Sequence, residues 1–144
     1  MNLRDSLNQY YFDMTVSGLR RLGRTGGGEL SYNSMMYLDV ISYQSAAGAC
    51  TVSTLAETLH ISRSAATIKV GELVRQGLVV KTRSAEDHRV FFLTVSEPVA
   101  QALGACDRPF ERAARLVEER FTPQEIEAFC EILGIFSAEY GKGF

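Results

Sequence analysis

Residues 51–94 change pattern four times in quick succession, and this punctuation constrains the fold more than any other feature of the chain. Thr51 or Ser53 can cap a brief helix carrying Leu55, Ala56 and Leu59, and Thr54 with Glu57 offers an alternative capping box. His60-Ile61-Ser62 reads as a turn, with Ser62 as the next N-cap. The helix that follows sets Ala66, Val70 and Leu73 on one face and ends at Gly77, where a left-handed C-cap lets Leu78 pack back. Residues 79–83 and 89–94 are β-rich runs separated by the polar segment 84–88, which reads as a hairpin.

The flanks are helical. Leu3, Leu7, Tyr11, Met14, Gly18 and Leu22 recur at spacings of three and four, an amphipathic helix that stops at Gly26-Gly27-Gly28, a linker. A second helix starts with Ser31 or Asn33 as N-cap and runs to about Tyr43, and residues 44–50 form a turn. After the hairpin come two long helices. Ser96 precedes Pro98 at the start of the first, and Thr122-Pro123-Gln124-Glu125 supplies an N-cap, a first-turn Pro and a capping-box Glu for the second. Val99, Leu103, Cys106, Phe110, Ala113 and Val117 form a heptad-like stripe on the first. Ile126, Phe129, Leu133, Phe136 and Tyr140 do so on the second, and such stripes pack against partner helices.

A short helix, a three-residue turn, a helix opening on small polar residues and a hairpin with a basic tip follow the order of a winged helix-turn-helix. The second helix of such a pair must expose short or hydrogen-bonding side chains at its N-terminal end, which enters the major groove and reads base edges. Ser62, Arg63, Ser64, Thr67 and Lys69 occupy its first two turns. The hairpin needs cations at its tip to reach phosphates or a narrow minor groove, and Arg83, His88 and Arg89 supply them.

These residues resemble the MarR family of bacterial transcription regulators. Leu55-Ala56-Glu57-Thr58-Leu59 is similar to the family's first helix of the pair, and Ile61-Ser62-Arg63-Ser64-Ala65-Ala66-Thr67 to the start of its recognition helix. Glu72-Leu73-Val74-Arg75-Gln76-Gly77-Leu78-Val79 resembles its end. Glu86-Asp87-His88-Arg89 followed by Leu93-Thr94 resembles its wing. The flanking helices fit the same plan. The resemblance implies a homodimer with intertwined N- and C-terminal helices, 1–24 and 96–141, and two DNA-binding lobes, 51–95, on a pseudo-palindromic duplex. It implies that Arg89 is the minor-groove or phosphate arginine and Asp87 its orienting partner. Two positions depart from the family pattern. Ile68 stands where many members have Arg, and Gly71 where Asp is common.

The expected architecture is therefore mainly α with a small β-hairpin (α+β), a single domain over residues 1–144. A net charge of −2 looks unfavourable for DNA, but it is unevenly distributed: residues 1–52 are neutral, 53–94 carry +2 and 95–144 carry −4. Charge asymmetry of this kind can mark a local nucleic-acid footprint. No apolar run approaches the length of a membrane helix and no secretory h-region opens the chain, so a cytoplasmic protein without a membrane partner is expected.

Tyr11, Tyr32, Met36 and Tyr37 concentrate aromatic and soft side chains on the first two helices. They serve either a dimer core or, as the resemblance suggests, a pocket for a small aromatic effector that releases a repressor. Three widely spaced cysteines argue for reduced thiols. Cys106 falls on the apolar stripe and Cys130 beside Phe129, so both are expected to be buried, and Cys50, in a turn, exposed. No nucleophile with its base, no phosphate loop and no metal-ligand spacing is present, so no enzyme, metal or cofactor is expected. Two other readings of the scaffold are a winged-helix protein-interaction module and a thiol-based redox sensor.

Overall fold

Caps and breakers in the sequence set nearly every element boundary in the computed structural model. The structure describes residues 1–24 and 30–143, with the backbone only at 22–24 and 106. The expected Gly26–Gly28 linker and the side chains of Leu22 and Cys106 lie outside the described residues. In chain order the elements are α1 (Leu3–Arg24), α2 (Tyr32–Ala47), α3 (Val52–Leu59) and α4 (Arg63–Arg75). Then follow β1 (Val79–Arg83), β2 (Phe91–Val95), α5 (Glu97–Arg120) and α6 (Pro123–Lys142). They form two compact units, Met1–Ala100 and Gln101–Phe144.

Within the first unit, Asn2 opens α1 by accepting the Asp5 amide at 2.9 Å. Ser31 caps α2 through the Ser34 amide. This helix runs to Ala47, one turn beyond the Tyr43 expected from the sequence. Ser45, Ala46 and Ala47 are compatible with a helix, and the break comes only at Gly48, whose amide bonds the Gln44 carbonyl at 3.1 Å. Gln44, expected in a turn, instead joins α2 to α3: its Nε2 donates to Thr58 Oγ1 at 2.7 Å and its Oε1 accepts from Thr54 Oγ1 at 3.2 Å.

Thr51 caps α3, and Thr54 rather than Glu57 closes the box. The helix ends with His60 in the left-handed region at φ 53°, while the Ile61 amide reaches back to the Ala56 carbonyl at 3.1 Å. Ser62 caps α4 through the Ala65 amide. The far end of α4 closes as expected. Gly77 has φ 72°, its amide bonds the Val74 carbonyl, and the Leu78 amide bonds that of Leu73.

Antiparallel pairing sets Val79 opposite Val95, Lys81 opposite Leu93 and Arg83 opposite Phe91. The second strand begins at Phe91, not at Arg89 as expected. The Val90 amide turns back to the Asp87 carbonyl at 3.0 Å, which leaves Arg89 in the turn.

One core holds this unit together. Leu38 and Ile41 of α2, Cys50, Leu55 of α3, Val70 and Leu73 of α4, Val79 and Leu93 form a single buried cluster. Removing each of these leucines from water is worth about 1.5–3 kcal/mol. The Leu93 amide also donates to the Cys50 carbonyl at 2.8 Å, which ties the root of the hairpin to the α2–α3 link.

In the second unit, Thr122 and Glu125 form the expected box: Glu125 accepts the Thr122 amide at 2.8 Å and Thr122 Oγ1 accepts the Glu125 amide at 3.3 Å. Pro109 lies inside α5, where it has no amide to donate to the carbonyl four residues back. Among the described residues of α6 none is buried. Phe110, Phe121, Phe129, Ile135 and Tyr140 are exposed in this chain. No helix among the described residues is long and apolar enough to cross a membrane.

Candidate nucleic-acid interface

Helix α4 has two faces with different occupations. Ala66, Val70 and Leu73 are locked into the core, so the helix cannot roll without breaking its apolar packing. The other side exposes Arg63, Ser64, Thr67 and Ile68 near the N-terminal end. Ser62 Oγ accepts the Ala65 amide at 3.0 Å, which uses one of its two lone pairs and leaves its proton free to donate. The Arg63 guanidinium donates to Ser53 Oγ at 2.6 Å, bridging α3 to α4, and its fork retains further donors. The helix N-terminus adds partial positive charge at the same end, which favours an anionic partner.

Lys69 behaves differently from the other cations proposed for this surface. It is turned inward, and its ammonium donates to Ser34 Oγ of α2 at 2.9 Å. The expectation that Lys69 faces DNA therefore does not match its orientation. The cause is a partner on α2, 35 positions away in sequence.

The wing turn is built around Ser84 and Asp87. The buried Ser84 hydroxyl accepts the amides of Glu86 at 3.2 Å and Asp87 at 3.3 Å, and the Ser84 amide bonds the Val90 carbonyl at 2.8 Å. Asp87 Oδ1 accepts both the Arg89 amide at 3.0 Å and Arg89 Nε at 3.2 Å. These bonds favour the charged carboxylate and hold Asp87 below its ordinary pKa, the backbone bond contributing most. The Arg89 side chain remains 91% exposed. Its position is fixed while most of its surface stays open to a ligand. His88 is also exposed, at the crest of the turn.

Two wing residues, Lys81 and Phe91, escaped the sequence reading of the site. Lys81 Nζ lies 4.7 Å from the centre of the Phe91 ring, and the Arg83 guanidinium 5.2 Å. The aromatic face holds both cations at one side of the hairpin. Strand alternation puts Lys81 and Arg83 on one face, and the pairing of Arg83 with Phe91 completes the set. The signal was present in the alternation, but it needed the register.

Of the four residues expected at a small-molecule site, three come together. Tyr11, Tyr32 and Met36 line a cavity of about 200 Å³ between α1 and α2, with Met14, Met35 and the ion pair of Arg21 and Asp39 at 3.5 Å. Tyr37 does not join them; it packs on the core and faces Lys69. The expectations for Cys50 and Cys130 are reversed. Cys50 is buried, 1% exposed, because Leu93 pairs with its backbone, and burial pushes its thiol pKa up. A thiol held protonated is a poor nucleophile. Cys130 is exposed in this chain, because none of the described residues of its own unit covers that side of α6. Among the described residues no group of three or more His, Cys, Asp or Glu is gathered as a metal site.

A capped helix pair with a basic, ordered hairpin beside it is a winged helix-turn-helix. Residues 29–90 match the family model described as MarR family. An uncharacterised HTH-type transcriptional regulator of Bacillus subtilis, YwhA, is 28% identical over 89 residues, which span 60% of this chain and 62% of the relative. Among solved structures, Streptococcus pneumoniae FabT in complex with DNA is similar over 96% of this chain and 98% of its own, at 19% identity and a TM-score of 0.63. The adhesin competence repressor AdcR of Streptococcus pyogenes is similar over 98% and 99%, at 20% identity and a TM-score of 0.60. Over residues 29–90 the chain is thus similar to the MarR family, and the relative it matches is by name a transcriptional regulator.

Proposed function

We propose that this chain is a sequence-specific DNA-binding transcription regulator that acts as a homodimer. The observation that carries the reading is the arrangement of α4 and the wing. A helix fixed by its buried face presents Arg63, Ser64 and Thr67, and beside it the hairpin offers Arg83, His88 and Arg89. Such a helix reads base edges in a major groove, with Arg63 suited to a bidentate contact to guanine. The wing cations serve phosphates or a narrow minor groove. FabT, similar in fold, was solved with DNA, which agrees with this reading.

A second copy is the natural cover for the apolar side chains left exposed on α1 and on α5 and α6. Monomeric proteins rarely leave so many large apolar residues uncovered. Two lobes related by a two-fold axis would meet a pseudo-palindromic duplex. Repression released by a small aromatic molecule is the finer form of the proposal. The α1–α2 cavity supports it, since its volume suits a single ring. AdcR, a repressor by name, shares the fold.

The test is a gel-shift with the duplex upstream of the protein's own coding region. A shift that weakens steeply with salt is expected, because phosphate contacts release counterions. Absence of a shift even at low salt overturns the reading. Binding of a protein instead, with little salt dependence and lost on changing the exposed Ile68, favours the protein-interaction module.

A further inference from the structure

Lys69 sits on the recognition helix, yet its side chain is only 20% exposed. An ammonium has three N–H donors, and three partners surround this one. Ser34 Oγ lies at 2.9 Å, Glu72 Oε2 at 3.5 Å and the Tyr37 ring centre at 5.7 Å. A cation removed from water is tolerated when its donors are met in this way. Ser34 is itself buried, and its hydroxyl accepts from Ser31 Oγ at 3.0 Å, while Ser31 Oγ accepts the Ser34 amide. A continuous polar chain thus runs from the N-cap of α2 through Ser34 to the middle of α4.

The rest of the α4 contact is apolar. Apolar packing forbids a large roll but is non-directional, so by itself it leaves small rotations of the helix cheap. A charged hydrogen bond is short and directional, and here it joins α4 to α2 one residue before the buried Val70 and two after the exposed Thr67.

We propose that Lys69 is a positioning residue, anchored by Ser34, that sets the roll of the recognition helix and so the presentation of Arg63, Ser64 and Thr67. The inference rests on the DNA-binding reading above. Ser34 lies between Tyr32 and Met35, both in the wall of the α1–α2 cavity. The roll of α4 is therefore referred to the same turn of α2 that lines the cavity.

The experiment uses the full chain and a duplex recovered from a random-sequence pool by the unaltered protein, with binding measured across a salt series. Lys69→Met keeps the stem against Tyr37, and Ser34→Ala keeps the Ser31 cap because that bond is to the Ser34 amide. Each variant is expected to lose about tenfold in affinity for the selected duplex, the scale of a hydrogen bond to a charged group. The double variant should lose no more than the worse single one, and the salt slope should not change. Non-specific affinity for a scrambled duplex should also hold. If instead Lys69→Met lowers the salt slope by about one and Ser34→Ala binds normally, Lys69 is a phosphate contact and the proposal fails. Should Lys69→Met not fold, Ser34→Ala decides alone, since a normal affinity and slope overturn the anchor. If the pool yields no bound duplex, the DNA-binding reading itself fails, an outcome distinct from either of these.

Discussion

The lobe around α3, α4 and the hairpin and the helical pair α5–α6 use similar amounts of apolar sequence to opposite ends. In the lobe, Leu55, Leu73 and Leu93 are completely buried, and every element contributes to one cluster. On α5 and α6, Phe110 is 66% and Tyr140 72% exposed, although their heptad-like spacing is just as regular. The difference lies in what each pattern faces. Short elements of changing direction can close on themselves, whereas two long helices in one chain expose more stripe than they cover. The lobe folds inward, whereas the helical pair leaves its stripe exposed in this chain.

This contrast breaks most readily at the core. Leu73→Ala should destabilise the lobe by about 2–5 kcal/mol, because a fully buried leucine leaves a cavity in a cluster joined by α2, α4 and both strands. Urea unfolding followed by circular dichroism measures it, and a loss under 1 kcal/mol would show that the core is not continuous. The next largest effect belongs to the other region. Phe110→Glu should weaken self-association by about 100-fold or more, as loss of a buried aromatic anchor does. Hydrogen exchange in α3 and α4 should stay unchanged in the same variant. Sedimentation over a concentration series reads the first, and unaltered association removes α5 from the interface.

Arg89→Ala comes third. It should cut affinity for a bound duplex by about tenfold or more and lower the salt slope by about one, leaving self-association unchanged. The pH dependence of the same turn follows from its carboxylate. Asp87 is held below its ordinary pKa by Arg89, and Glu125 below its own by the Thr122 amide and hydroxyl. Groups depressed in the folded state stabilise it above their unfolded pKa, and that contribution disappears as pH falls through the folded value. Both effects should therefore be full at neutral pH and fade below about pH 4. Two-dimensional NMR should show the Arg89 and Thr122 amides shifting together in that window, and neither near pH 6.

What could be read from the sequence was what is local. Ser62, Thr122 and Gly77 act within a turn of their own position, and all three ended or started helices where their chemistry indicated. The apolar faces of α4 were equally legible, because a period of 3.6 is written in the helix itself. Lys69 was not. A lysine between Ile68 and Val70 carries no local sign that Ser34 will bind it. Cys50 was misread for the same reason, since its burial depends on Leu93 arriving from β2. Of the surface proposed for DNA, the residues were named correctly as exposed where exposure follows from helix phase, at Arg63, Ser64 and Thr67. The cation pair on Phe91 needed strand register, which no single strand specifies.

The smallest effect concerns two residues of the helix-turn-helix whose types are exchanged relative to their backbones. His60 occupies the left-handed region, which costs an L residue roughly 1–2 kcal/mol and glycine almost nothing. Gly71 stands in the interior of α4, where glycine costs about 1 kcal/mol against alanine. A Cβ at Gly71 would meet Arg75 Nη1 at 3.6 Å, ordinary contact with the end of a flexible side chain. His60→Gly and Gly71→Ala should therefore each stabilise the lobe, by about 0.5–1 kcal/mol once the unfolded chain's entropy is included. They lie on different elements with no bond between them, so the double variant should gain the sum within about 0.5 kcal/mol. Thermal melts of the four proteins test this. If the unfavourable residues serve the turn's geometry toward DNA, the stabilised double variant will bind its duplex more weakly. If the backbone is unaltered, it will bind as before, and the lobe will be shown to hold its shape through its core rather than through these two positions.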